Sequence, residues 1–96
     1  MRLVVSEEAE VDLDDILAYS VREWGAAQGV DYVRAINEAF GKLTAGTLSG
    51  TRADDLAPGL RRLVAGSHVV WFRVADDQLL VIRVLHQSRD AGRWVR

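Results

Sequence analysis

The residues best placed to do chemistry lie near the C-terminus. His86 closes the apolar run VIRVLH, with Arg83 three residues before it and Arg89 three residues after. An imidazole changes charge near neutral pH and can move a proton, and a guanidinium can hold a phosphate or carboxylate with two parallel donors. The competing reading is a strand-end histidine hydrogen-bonded to nearby backbone or to Asp90. That reading is favoured, because short motifs of this kind often arise by chance. Other candidates are few. His68 falls at a hairpin turn as a solvated strand-start residue, Tyr19 and Tyr32 lie in helical segments, and Lys42 is the sole lysine. The carboxylates of Glu7, Glu8, Glu10, Asp12, Asp14 and Asp15 are spread around a helix and do not converge on a metal. Stabilisation of the helix dipole and solubility account for them. There is no cysteine, phosphate-binding loop, nucleophile elbow or histidine-rich ligand set. Neither a metal nor a cofactor is expected.

These residues must be positioned by two kinds of element. Arg2 to Val5 is a short β-prone run, and Ser6 after it is a good helix N-cap. Ala9, Leu13, Ile16, Leu17, Ser20 and Trp24 then recur at helical spacing as one buried stripe, ended by Gly25. Val30, Val33, Ile36, Phe40 and Leu43 form a second stripe that stops near Gly46. Two helices joined by so short a turn make an antiparallel hairpin. Residues 44–59 have no periodicity and carry Gly, Ser, Thr, Asp and the only proline, so they read as a loop.

From Leu60 the pattern becomes that of strands: LRRLVA, HVVWFRVA and LLVIRVLH. Gly66-Ser67 suits a two-residue turn, and Asp76-Asp77-Gln78 a three-residue one. With that register Val70, Phe72 and Val74 share a face with Leu80, Ile82 and Val84, and this apolar face packs on the helices. The other face carries Val69, Trp71 and Arg73 beside Val81, Arg83 and Leu85. Trp71 stands between Arg62 and Arg83 there, in position for a cation–π cluster. The expected fold is α+β, in the order β-α-α-β-β-β, with a helical hairpin on one face of a mainly antiparallel four-stranded sheet. It forms one domain over residues 1–96: hairpin about 6–46, loop about 47–59, strand meander about 60–86 and tail 87–96. Helices cannot cover both faces. Either the tail folds back with Trp94 and Val95, or another protein covers the second face.

Charge adds a direction. Residues 1–57 hold eleven acidic and five basic side chains, a net of −6, while residues 58–96 hold three acidic residues and seven arginines, a net of +4. The basic half suits an acidic partner, although opposite charges at two ends of one domain would also explain it. The start, MRLVVSEEAE, lacks the apolar stretch of a signal peptide, and no segment approaches the ~20 apolar residues of a membrane span. A cytoplasmic protein without membrane contact is expected.

The motifs PGLRRL at 58–63, AGSHVVWFRV at 65–74 and VIRVLHQSRD at 81–90, behind the opening VVSEEAEVDLDDILAYSVREWG, together resemble the ParE branch of the RelE/ParE superfamily of toxins. The resemblance spans nearly the whole chain and rests on joint order and spacing. It departs in the connector TAGTLSGTRADDL, where the family often shows an Asn-Pro and a following Gly. It implies a type II toxin wrapped and neutralised by a cognate antitoxin, for example as a toxin2–antitoxin2 assembly that meets operator DNA only through the antitoxin. It further implies that the free toxin inhibits DNA gyrase by binding, without catalysis. On this reading Arg62, Val69, Trp71, Arg73, Val81 and Arg83 meet the antitoxin. Arg89, Arg93, Trp94 and Arg96 meet the target. The alternative within the superfamily is a ribosome-dependent mRNA endonuclease of the RelE type. That chemistry needs a base for the ribose 2′-hydroxyl and cations for the phosphate, and His86, Arg83 and Arg89 are its candidates. A non-toxic co-repressor subunit is the third possibility.

Overall fold

The chain turns from strand to helix at Ser6. In the computed structural model, which describes residues 1–95, strand β1 (Arg2–Val5) ends where the Ser6 N–H donates to the Val81 carbonyl at 3.0 Å. The Ser6 hydroxyl accepts the Ala9 N–H at 3.0 Å, capping helix α1 (Glu7–Trp24), and donates to the Ile82 carbonyl at 2.7 Å. One side chain thus caps the helix and ties it to the last long strand. Gly25, at φ +88°, closes α1 and opens α2 (Ala26–Ala45) within a single residue. The left-handed conformation favours glycine there. The helices approach closely at Gly29, where an added Cβ would stand 2.6 Å from the Val21 nitrogen.

Beyond α2 come β2 (Thr51–Arg52), β3 (Arg61–Ala65), β4 (His68–Ala75), β5 (Gln78–His86) and a short helix α3 (Ala91–Trp94). The sheet has five strands in the order β1-β5-β4-β3-β2. β1 runs parallel to β5 and the other pairings are antiparallel. The strand beyond the expected four is β2, which pairs Thr51 with Arg62 and Arg52 with Arg61. Two residues are too short to show a period of two, so a loop was the natural reading.

The second hairpin differs from the expected register in an instructive way. Its turn is Asp76-Asp77, two residues at φ +53° and +59°, in place of the expected three. Two positive φ values match the twist of paired strands. Between turn and bulge the pairs are Val74 with Leu79 and Phe72 with Val81. An extra residue, Ile82, then shifts the register, and Trp71 meets Arg83 as expected. The expected pairing therefore holds above the bulge and is one residue out below it. Leu79, Val81 and Val84 join Val70, Phe72, Ile36 and Phe40 in the core beneath the helices. Leu80 is exposed, and Ile82 packs on the opposite face.

That opposite face has its own core. Ala53, Leu60, Trp71, Leu85 and Val95 are buried together, with Ala57, Val69, Ile82 and Ala91 packed around them. The loop is folded over the sheet by the Ala53 N–H to Leu60 carbonyl bond of 2.8 Å. It is also held by Asp54, which accepts from Arg52 Nε at 2.7 Å and the Gly59 N–H at 2.9 Å. The tail thus folds back, with Val95 1% exposed, and the loop shares the covering. Trp94 is not itself buried; it is 40% exposed. Two helical positions also depart from expectation. Trp24 (47% exposed) and Val30 lie outside the buried stripes.

Candidate functional site

Beyond Ser6, strand β1 no longer covers the edge of β5, and α1 lies against the bare edge instead. Asp12 fills the gap. Its carboxylate accepts the Val84 N–H at 3.0 Å and takes two further bonds of 2.8 Å from Arg83 Nε and Nη2. This carboxylate raises the Arg83 pKa, with burial opposing. The acidic start of α1 is therefore not only a solvated, dipole-stabilising face, because one of its members is committed to the sheet.

Above this pair a cleft of about 440 Å³ opens between α1 and the ends of β4 and β5. Asp12, Asp15, Ile16 and Tyr19 line it from α1, with Trp24 at the helix end. Ser67, His68, Arg83, Val84, Leu85, His86 and Arg89 line the other side. His68 and His86 are cross-strand partners, with ring centroids 5.4 Å apart and planes at 89°. His68 is not a solvated strand-start residue. It is partly buried, its Nδ1 lies 2.7 Å from the Tyr32 hydroxyl, and burial lowers its pKa, helped by His86 and opposed by Asp12. His86 is exposed and bonds to Ser88, not to Asp90: its Nδ1 lies 2.8 Å from the Ser88 hydroxyl and accepts the Ser88 N–H at 3.1 Å. Asp90 instead caps α3, accepting the Gly92 N–H at 3.2 Å.

His86, Arg83 and Arg89, the candidates of the RelE-type alternative, all line this cleft, whereas the preferred reading expects no catalytic residue. Sequence reasoning missed His68, Tyr32 and Asp12. A signal for His68 was present, since the register that sets Trp71 opposite Arg83 also sets His68 opposite His86.

The residues expected to meet an antitoxin are divided by the structure. Val81 is 0% exposed beneath the helices, because the bulge moves it to the other face. Trp71 is 5% exposed at the centre of the second core, and Val69 packs beside it. Neither Val81 nor Trp71 is a surface residue. Arg62 and Arg83 do stand opposite Trp71, yet the arginine–indole cluster forms elsewhere. The guanidinium carbons of Arg83 and Arg89 each lie 5.3 Å from the Trp94 ring centroid. Arg73 donates from Nε to the Pro58 carbonyl at 3.3 Å and so helps hold the loop. Arg62 is exposed. Of the residues expected to meet a target, Arg89, Arg93 and Trp94 are all exposed, and Arg96 lies outside the described residues. Among the described residues no group of three or more His, Asp or Glu side chains could hold a metal ion. Among the described residues no helix is long and apolar enough to cross a membrane.

The helical hairpin thus lies on a small sheet that has a basic strand end and a tail folded across its back. A family model described as "ParE toxin of type II toxin-antitoxin system, parDE" matches residues 3–91, and the chain belongs to that family. "Toxin ParE1" of Caulobacter vibrioides is 40% identical over 87 residues, covering 91% of this chain and 90% of that protein. "Toxin ParE1" of Mycobacterium tuberculosis is 34% identical over 93 residues, covering 96% and 95%. A solved structure described as "Chromosomal ParDE TA system from P. aeruginosa" superposes with a TM-score of 0.77 at 26% identity, covering 90% of this chain and 95% of that one. The chain is thus the toxin component of a type II toxin–antitoxin system, and a cognate antitoxin is implied.

Proposed function

We propose that this toxin acts in the cytoplasm by binding DNA gyrase, and that it does so without catalysis. One observation supports binding over cleavage. Arg83, one of the two cations a phosphodiester-cleaving site would use here, is already neutralised by the bidentate Asp12 carboxylate. The exposed tail residues Arg89, Arg93 and Trp94, with Arg96, form the gyrase-binding segment. The cognate antitoxin neutralises the toxin in a two-plus-two assembly and approaches the basic side of the sheet at Arg62 and Arg73.

The test is controlled expression of the chain alone, with DNA and protein synthesis followed in parallel over the first minutes. Early arrest of DNA synthesis, and inhibition of purified gyrase by the purified chain, are the expected results. The RelE-type reading has one observation in its favour, the presence of His68, His86 and Arg89 around one cleft. It would prevail if translation stopped first and cleaved messages accumulated. Unimpaired growth would leave the co-repressor role.

A further inference from the structure

Both cleft histidines form hydrogen bonds at Nδ1, and those of His86 fix where its proton sits. The Ser88 N–H donates to His86 Nδ1, so that nitrogen carries no proton and the ring proton lies on Nε2. The Tyr32 hydroxyl accepts the Ser67 N–H at 2.9 Å and shares a hydrogen bond of 2.7 Å with His68 Nδ1. Burial lowers the His68 pKa. The His86 imidazole therefore retains one N–H donor, at Nε2, with no hydrogen-bond partner among the described residues. Arg89 borders the same cleft and has no carboxylate partner among the described residues. Arg83 does not join this set, because Asp12 satisfies it.

The rest of the cleft sets limits on what those donors can receive. Ile16 and Trp24 give it an apolar wall, while Asp15, unlike the Arg83-paired Asp12, places negative charge on the α1 side. A nucleic-acid backbone brings a charge at every nucleotide and would be repelled by that carboxylate. A single side-chain carboxylate beside an apolar anchor meets donors on one side and hydrocarbon on the other. We infer that the cleft is a socket for a carboxylate-bearing apolar segment of the cognate antitoxin, with His86 Nε2–H and Arg89 as its donors. The inference rests on the antitoxin reading above and adds to it the place and chemistry of one contact. It also separates this contact from the basic strand face, since the cleft lies on the α1 side of β5.

The test measures the affinity of the full-length antitoxin encoded beside this chain, by calorimetry, for the parent chain and for Arg89→Gln, His86→Phe and Arg34→Gln. His86 and Arg89 are exposed, so both variants should fold, and thermal melting checks this. Loss of a charge-assisted or buried donor should weaken binding by about tenfold for each cleft variant. Arg34→Gln, on the exposed face of α2, should change it little. Long-range nitrogen spectra should show His86 as the Nε2–H tautomer, with its signal shifting on binding. A purely structural role would not produce that shift. If the antitoxin binds parent and cleft variants equally, the socket is wrong and the antitoxin reading stands. If the parent does not bind the antitoxin, both fall. If the parent binds an unstructured oligouridylate and loses it on Arg89→Gln while antitoxin binding is unchanged, the cleft is a nucleic-acid site and the inference is overturned.

Discussion

Asp12 on the first helix and Arg83 on the last long strand are 71 residues apart and form a bidentate pair, with both contacts at 2.8 Å. The same carboxylate caps the Val84 N–H, and the arginine it holds lies beside Trp94. Helix, strand edge and tail are therefore coupled through one acidic side chain. Both side chains of the pair lose most of their solvent, Asp12 being 11% and Arg83 16% exposed.

Asp12→Ala should thus cost more than a surface charge does. It leaves Arg83 unpaired and the Val84 N–H without its acceptor, for a loss of about 1.5–3 kcal/mol. Thermal melting measures that loss. Asp14→Ala, on the exposed side of the same helix, should change stability by less than about 0.5 kcal/mol. Equal effects would mean that the pair contributes nothing beyond an exposed carboxylate.

Trp71 provides a check on which residues are surface and which are core. Trp71→Ala should lower stability by about 3–5 kcal/mol, since it opens a cavity among Ala53, Leu60, Leu85 and Val95. Denaturant unfolding should show the loss in the isolated chain. An unchanged midpoint together with weaker antitoxin binding would restore the tryptophan to the surface role first expected of it.

His68 gives the fold a pH dependence of definite sign. Its folded pKa is lowered below the ordinary 6.5, chiefly by burial, so the unfolded chain binds the proton more readily. The contribution to stability is present above about 6.5 and is lost as pH falls from there through the folded pKa. Melting temperature should therefore fall between pH 7.5 and 5.5, and His68→Asn should flatten that part of the profile. A profile that stays equally steep in the variant would assign the dependence to other groups.

The helix crossing makes two opposite predictions. Gly29→Ala would put a Cβ 2.6 Å from the Val21 backbone nitrogen, so the hairpin must open and the melting temperature should fall. Ser20, also in the buried stripe of α1, has a buried hydroxyl with no hydrogen-bond partner among the described residues. Ser20→Ala removes an unsatisfied polar group whose burial costs about 1–3 kcal/mol, and should raise the melting temperature. Identical shifts in the two variants would mean that the crossing tolerates volume and polarity alike.

The helical hairpin was legible because burial repeats every three to four residues in Leu13, Ile16, Ile36, Phe40 and Leu43, and because Gly25 and Gly46 can end helices at positive φ. The strands from Arg61 onward were legible for the same reason at a period of two. The family was legible too, since order and spacing of motifs survive where individual residues vary.

The tertiary structure decided what local pattern could not. Whether the Asp76-Asp77 turn takes two residues or three costs little by itself, and either choice alternates equally well along each strand. Packing under the helices selects Leu79 and Val81, and the bulge at Ile82 absorbs the difference. The second core draws on residues as far apart as Ala53 and Val95, and the cleft on Asp12, His68 and His86, with Tyr32 bonded to His68. Neither has a sequence period. Their members meet only because two layers and a folded-back tail bring them together, and burial then lowers the His68 pKa.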